Sequence, residues 1–105
     1  MDYSNSMISV RTTAAFDDWF SKLRDIRARA RIQIRIDRLE MGNPGDCKAV
    51  GGGIIELRID YGPGYRVYFT QRGAVLVMLL CGGDKSTQQA DITRAKAIAA
   101  ALDLE

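Results

Sequence analysis

The chain has 105 residues, 47% apolar and 27% charged, with a formal net charge of +2. That length supports one core, so 1–105 reads as a single domain, and a charge this small does not by itself argue for nucleic-acid binding. Histidine is absent, which excludes a His general base, a Ser-His-Asp triad and every His-ligated metal site; Cys47 and Cys81 cannot build a structural zinc site alone, and no cofactor is expected.

Residues 1–6 read as a polar lead-in, with Met7 as an alternative start. They lack the basic start and apolar middle of a signal peptide. No run approaches the ~20 apolar residues of a membrane span. A cytoplasmic protein with reduced thiols is expected.

In chain order, 8–11 alternates as a short strand. Thr12 or Thr13 can then cap a helix, in which Phe16, Trp19, Phe20 and Leu23 recur at helical spacing. Residues 21–41 contain neither Gly nor Pro. Ile32, Ile34 and Ile36 alternate as in a strand, yet Ala28, Ile32, Ile36 and Leu39 share a helical face, and length decides for helix. The run 42–45 stops it. The two helices should form an antiparallel hairpin joined near Arg24 and Asp25. Seven cations (Lys22, Arg24, Arg27, Arg29, Arg31, Arg35 and Arg38) stand here against Asp25 and Asp37. They make either a solvated helix face or a footprint for a polyanion or an acidic partner.

Residues 46–53 read as a Gly-rich connection. Strands follow at 54–60, 65–70 and 74–81, with turns at 61–64 and 71–73, as an antiparallel meander. Burying Ile55, Leu57 and Ile59 together with Tyr65, Val67 and Phe69 requires an odd-length connection or a bulge, and then Arg58, Arg66 and Tyr68 share the other, polar face. The third strand is nearly all apolar and should be central, covered on both sides. Ser86 with Gln89 resembles a capping box for a terminal helix to about 102, whose buried stripe is Ile92, Ala95, Ala99 and Leu102. The order β-α-α-β-β-β-α is an α+β sandwich of helices on one small antiparallel sheet.

The candidate chemistry lies in 56–88. Arg58 and Arg66 flank a Gly-Pro-Gly turn, and Lys85 follows Gly82-Gly83, which reads as a strand exit. One reading is local neutralisation by Glu56 and Asp60, leaving exposed pairs of little worth. The other is that the guanidinium forks grip phosphate, with Lys85 and Lys48 adding charge and Tyr68 stacking on a base or donating a hydrogen bond. The run 81–87 is not a Walker A motif, because Asp84 stands where Gly must precede the Lys; 51–53 is not a dinucleotide fingerprint.

The segment Glu56-Leu57-Arg58, then Gly64-Tyr65-Arg66-Val67-Tyr68-Phe69, then 79–88 and the Asp91-Ile92 to Lys96 stretch resembles the RelE/ParE toxin superfamily over about 8–102. Within it the chain looks like the HigB-like "addiction module killer protein" group. That resemblance implies a RelE-like fold with an N-terminal helical hairpin, and the toxin of a type II toxin–antitoxin module. The implied partners are a helix-turn-helix antitoxin, the ribosome and mRNA, with operator DNA reached only through the antitoxin and no membrane. The implied activity is ribosome-dependent mRNA cleavage through the RNA 2′-OH; the alternatives are gyrase inhibition or antitoxin binding alone. Arg66 would contact the scissile phosphate, Arg58 and Lys85 would support it, and Lys48, Tyr68 and Gln88 would contact RNA. The pattern's paired lysines are not kept at Ile54 and Glu56, nor its tyrosine at Gln88, Gln89 and Ala90. Glu56, Asp84 or Tyr68 remain as bases, each needing its pKa moved to work near pH 7.

Overall fold

Thr13 is where the chain turns from strand to helix. Its hydroxyl accepts the Phe16 backbone N–H at 3.1 Å, as an N-cap does, and donates to the Leu80 carbonyl at 2.6 Å. Before it runs β1 (Ser9–Thr12) and after it α1 (Ala14–Ser21). A computed structural model describes residues 8–103; the lead-in expected at 1–6 and the alternative start at Met7 lie outside the described residues. Asp25 caps α2 (Ile26–Glu40), accepting from the backbone N–H groups of Arg27 and Ala28 at 3.0 and 3.2 Å. α2 buries Ala28, Ile32, Ile36 and Leu39, the helical rather than the alternating set.

Four strands then run as an antiparallel meander: β2 (Cys47–Gly51), β3 (Ile54–Ile59), β4 (Tyr65–Arg72) and β5 (Leu76–Gly83). β1 joins parallel to β5, giving a mixed sheet in the order β1-β5-β4-β3-β2. This corrects the expected wholly antiparallel sheet and its β-α-α-β-β-β-α order. The missed strand is β2, within the supposed Gly-rich connection. Gly52 and Gly53 take φ of 63° and 77°, the left-handed backbone a two-residue hairpin demands. The β4–β5 turn also falls later than expected. β4 continues to Arg72, which pairs with Leu76, and a register shift lies between Tyr68 and Phe69.

The odd-length register holds across β3 and β4. Ile55 faces Phe69, Leu57 faces Val67 and Ile59 faces Tyr65 across the connection 60–64. These side chains form one core with Phe16, Ile32, Ile36 and Leu39 under α1 and α2. The other face is closed too. α3 (Gln88–Asp103) lays Ile92, Ala95 and Ala99 on Ile54, Tyr68, Leu80 and Cys81, with Leu102 packed at the margin. The polar face expected to be open is therefore mostly a second core, and β5 lies between β1 and β4 with helices on both sides. Ser86 does not cap α3. Asp84 caps a 3-10 turn (Lys85–Thr87) that leads into it, accepting the Ser86 N–H at 2.8 Å. Both thiols are free; burial pushes that of Cys81 up to about 11, and its S–H donates to the Asp91 carbonyl.

Gly82-Gly83 is more than a strand exit. A Cβ on Gly82 would overlap the Trp19 ring, and one on Gly83 the Asp91 carboxylate. Trp19 cannot simply retreat, because Phe16 and Tyr65 flank it at ring-centre distances of 5.8 and 6.4 Å. Gly82→Ala is expected to cost about 1–3 kcal/mol by overpacking, a fall of roughly 5–20 °C in melting temperature for a chain of this size. Thermal unfolding followed by circular dichroism measures it; an unchanged midpoint would mean that the Trp19 ring moves aside freely. Among the described residues no helix is long and apolar enough to cross a membrane.

Candidate anion-binding site

β3 and β4 place Arg58 and Arg66 directly opposite each other. Like charges so placed repel, and what holds them together is Glu56, two residues before Arg58 on the same face. Its carboxylate has no exposed surface. Oε1 accepts from Arg58 Nε at 3.1 Å and lies 3.8 Å from Arg66 Nε. Oε2 accepts from the Tyr68 hydroxyl at 3.1 Å and the Gln88 amide at 2.7 Å. Burial alone would raise the Glu56 pKa, but the hydrogen bonds from Gln88, Arg58 and Tyr68 and the charge of Arg66 outweigh it and hold the carboxyl below its ordinary value. Glu56 is thus an ionised hub rather than a base awaiting a proton. The Tyr68 hydroxyl is pushed the other way, above its ordinary value, by burial and by the Glu56 charge.

The two arginines and Lys85 come together on one cavity of about 430 Å³, with Asp46, Asp60 and the Gly62-Pro63-Gly64 turn on its walls. Arg66 Nη1 donates to the Gly64 and Tyr65 carbonyls at 3.2 and 3.3 Å. Its Nε is buried with no hydrogen-bond partner among the described residues. Two guanidiniums sharing one carboxylate leave a net positive pair at the cavity floor and Lys85 adds an exposed ammonium, while Asp46 and Asp60 set two exposed carboxylates on the outer wall. Such a site suits a phosphate oxygen.

Other expected RNA contacts lie elsewhere. Tyr68 has no exposed surface and cannot stack on a base, because the face it occupies is under α3. The Gln88 amide is spent on Glu56, and with the exposed Lys48 it lines a separate cavity of about 370 Å³. None of the expected bases is free: Glu56 and Tyr68 are tied together, and Asp84 is a cap. Arg35, expected as one more surface cation, is a staple. Its guanidinium donates to the carbonyls of Pro44 and Asp46, each at 2.9 Å, and to that of Arg58, fixing the rim of the cavity. The clue was its spacing, seven residues after Ala28, three after Ile32 and four before Leu39: an arginine beside a buried stripe must find acceptors.

A five-stranded mixed sheet between helices, with an arginine pair pinned by a buried carboxylate at one end, defines a small α+β protein with an arginine-lined cavity. Residues 18–104 match the model of the family described as phage derived protein Gp49-like (DUF891). An uncharacterized protein of Haemophilus influenzae is 58% identical over 97 residues, covering 92% of this chain and 98% of the relative. The chain belongs to the Gp49-like family. That is a different family from RelE/ParE, so the RelE/ParE and HigB-like resemblance is corrected. What carried it was a strand arginine after Gly-Tyr and a Gly-Gly strand end, features set by the turn and by packing against Trp19 and Asp91. The Gp49-like family is associated with toxins of the toxin–antitoxin type, which makes a toxin role and an antitoxin partner plausible here.

Proposed function

We propose that this protein is the toxin of a toxin–antitoxin pair and inhibits translation by ribosome-dependent mRNA cleavage at the Arg58–Arg66–Lys85 cavity. The observation that carries the reading is the pair of guanidiniums, Arg58 and Arg66, held side by side by one buried carboxylate on a solvent-open cavity that Lys85 also lines. In the proposed reaction the RNA 2′-oxygen attacks the adjacent phosphorus and the bond to the 5′-oxygen breaks. A 2′,3′-cyclic phosphate and a 5′-hydroxyl remain. The proton lost by the 2′-OH passes to water, and water supplies the one gained by the leaving oxygen. Charge on the phosphorane is stabilised by Arg66 and Arg58, with Lys85 at the rim. The same reading has the chain working as one domain in the cytoplasm, beside a helix-turn-helix antitoxin.

The engagement of Glu56, Tyr68 and Asp84 elsewhere favours a second reading, a toxin that blocks its target, such as gyrase, by binding without cleavage. Primer extension on a reporter mRNA in a reconstituted translation system separates the two. Cuts that require ribosomes are expected. Intact mRNA from a protein that arrests growth would select the non-nuclease reading.

A further inference from the structure

α2 carries a surface that the anion cavity does not use. Arg27, Arg31, Ile34 and Arg38 recur at spacings of four, three and four, which at 3.6 residues per turn confines them to an arc of about 60°, and Met41, the C-cap three residues on, continues the row. All five are exposed, Ile34 by 49% and Met41 by 70%. No acidic residue interrupts the row. Beside it opens a groove of about 300 Å³ between Arg31, Ile34 and Arg38 on the helix and Ile59 and Asp60 on β3 and its exit.

We propose that this row is the docking face for an acidic amphipathic helix of a partner protein. Alternating four-three spacing is what a second helix meets when it lies along the first. Ile34 and Met41, with Ile59 in the groove floor, ask for apolar side chains; Arg27, Arg31 and Arg38 ask for carboxylates flanking them. Nucleic acid suits the surface less well. Phosphates gain nothing from Ile34 and Met41, the two exposed apolar side chains of the row. Tyr61, the aromatic on which a base would stack, is covered by the Arg31 guanidinium at 4.8 Å. Ile59 and Asp60 also line the anion cavity, so a helix seated in the groove stands at the cavity's own wall. That the partner is the antitoxin, closing the cavity from this side, rests on the toxin reading; the surface itself does not.

The test is fluorescence anisotropy with the full chain and a labelled amphipathic peptide of about 20 residues, long enough to span α2. It carries leucines at three- and four-residue spacing, flanked by glutamates. Its scrambled isomer and a short oligouridine are the competitors. The amphipathic peptide is expected to bind at least about tenfold more tightly than its isomer, and Ile34→Glu and Arg31→Glu each to weaken it at least about tenfold. Gln33→Glu, off the row, controls for added charge and should change Kd by less than about twofold, since exposed charges are screened. Melting curves establish that each variant is folded. Equal binding of the two peptides overturns the proposal, as does oligouridine binding that Arg31→Glu weakens while the peptide fails to bind. Neither result depends on growth arrest or mRNA cleavage, so failure here is distinct from failure of the toxin reading.

Discussion

A Glu56→Ala protein should melt at least about 12 °C below the wild type at neutral pH. Removing one partner of a buried ion pair costs roughly 3–5 kcal/mol, because the remaining charge stays buried without compensation, and each kcal/mol shifts the midpoint by about 4–8 °C at this size. Here Arg58 Nε, the Tyr68 hydroxyl and the Gln88 amide lose their acceptor at once, and Arg66 loses its nearest counter-charge. Glu56→Gln keeps the shape and should fall between. The pH dependence has a definite sign. The folded Glu56 pKa lies below the ordinary glutamate value of 4.5, so the unfolded chain binds the proton more readily. The stabilisation is therefore complete above about pH 4.5 and is lost as pH falls through the lowered folded value. Glu56→Gln should lose that part of the acid limb. Thermal melts of the three proteins between neutral and acid pH measure this, and a Glu56→Ala midpoint within about 2 °C of wild type would remove Glu56 as the hub.

Arg66→Ala is expected to abolish growth arrest and to lower mRNA cleavage by roughly 10²- to 10³-fold, the usual loss when one preorganised donor to a developing oxyanion is removed. The fold should survive, since Glu56 keeps Arg58, Tyr68 and Gln88. Arg66→Lys restores charge without the fork and should recover little. Arg58→Ala should cost less, because the Arg58 side chain is 34% exposed against 13% for Arg66 and its field is better screened. Growth after induction, scored beside primer extension with each purified variant, reads out both effects. Undiminished arrest by a folded Arg66→Ala protein would end the role proposed for this residue.

Much of the scaffold was legible because apolar spacing is a local signal. The stripe from Ala28 to Leu39 identified α2, and the alternation from Ile55 to Phe69 set the β3–β4 register, which in turn placed Arg58 opposite Arg66. β2 escaped because Cys47, Lys48 and Ala49 form a short edge strand with little apolar contrast, and its three glycines hid a hairpin inside what read as a loop. The closing of the second face was harder to see. α3 is only weakly amphipathic, its buried side is largely alanine, and Glu56 and Tyr68 look like surface residues until each is seen to satisfy the other. The arginine cluster could be proposed from sequence, but its support could not, because Gln88 reaches Glu56 from 32 positions away.

The parallel pairing of β1 with β5 also bears on how the molecule comes into being. Thr13 and Leu80 are 67 positions apart, and such a long closure must be made before its contacts give any return, which slows folding. During synthesis the pairing of β1 and the bond from the Thr13 hydroxyl to Leu80 wait for β5. A nascent chain halted before that strand has Arg58 and Arg66 but neither Lys85 nor the Gln88 clamp, and no second layer to bury Glu56. The cavity is therefore assembled only after β5 and the start of α3 have been made, so on the toxin reading no working site exists while the chain up to β4 is still being synthesised.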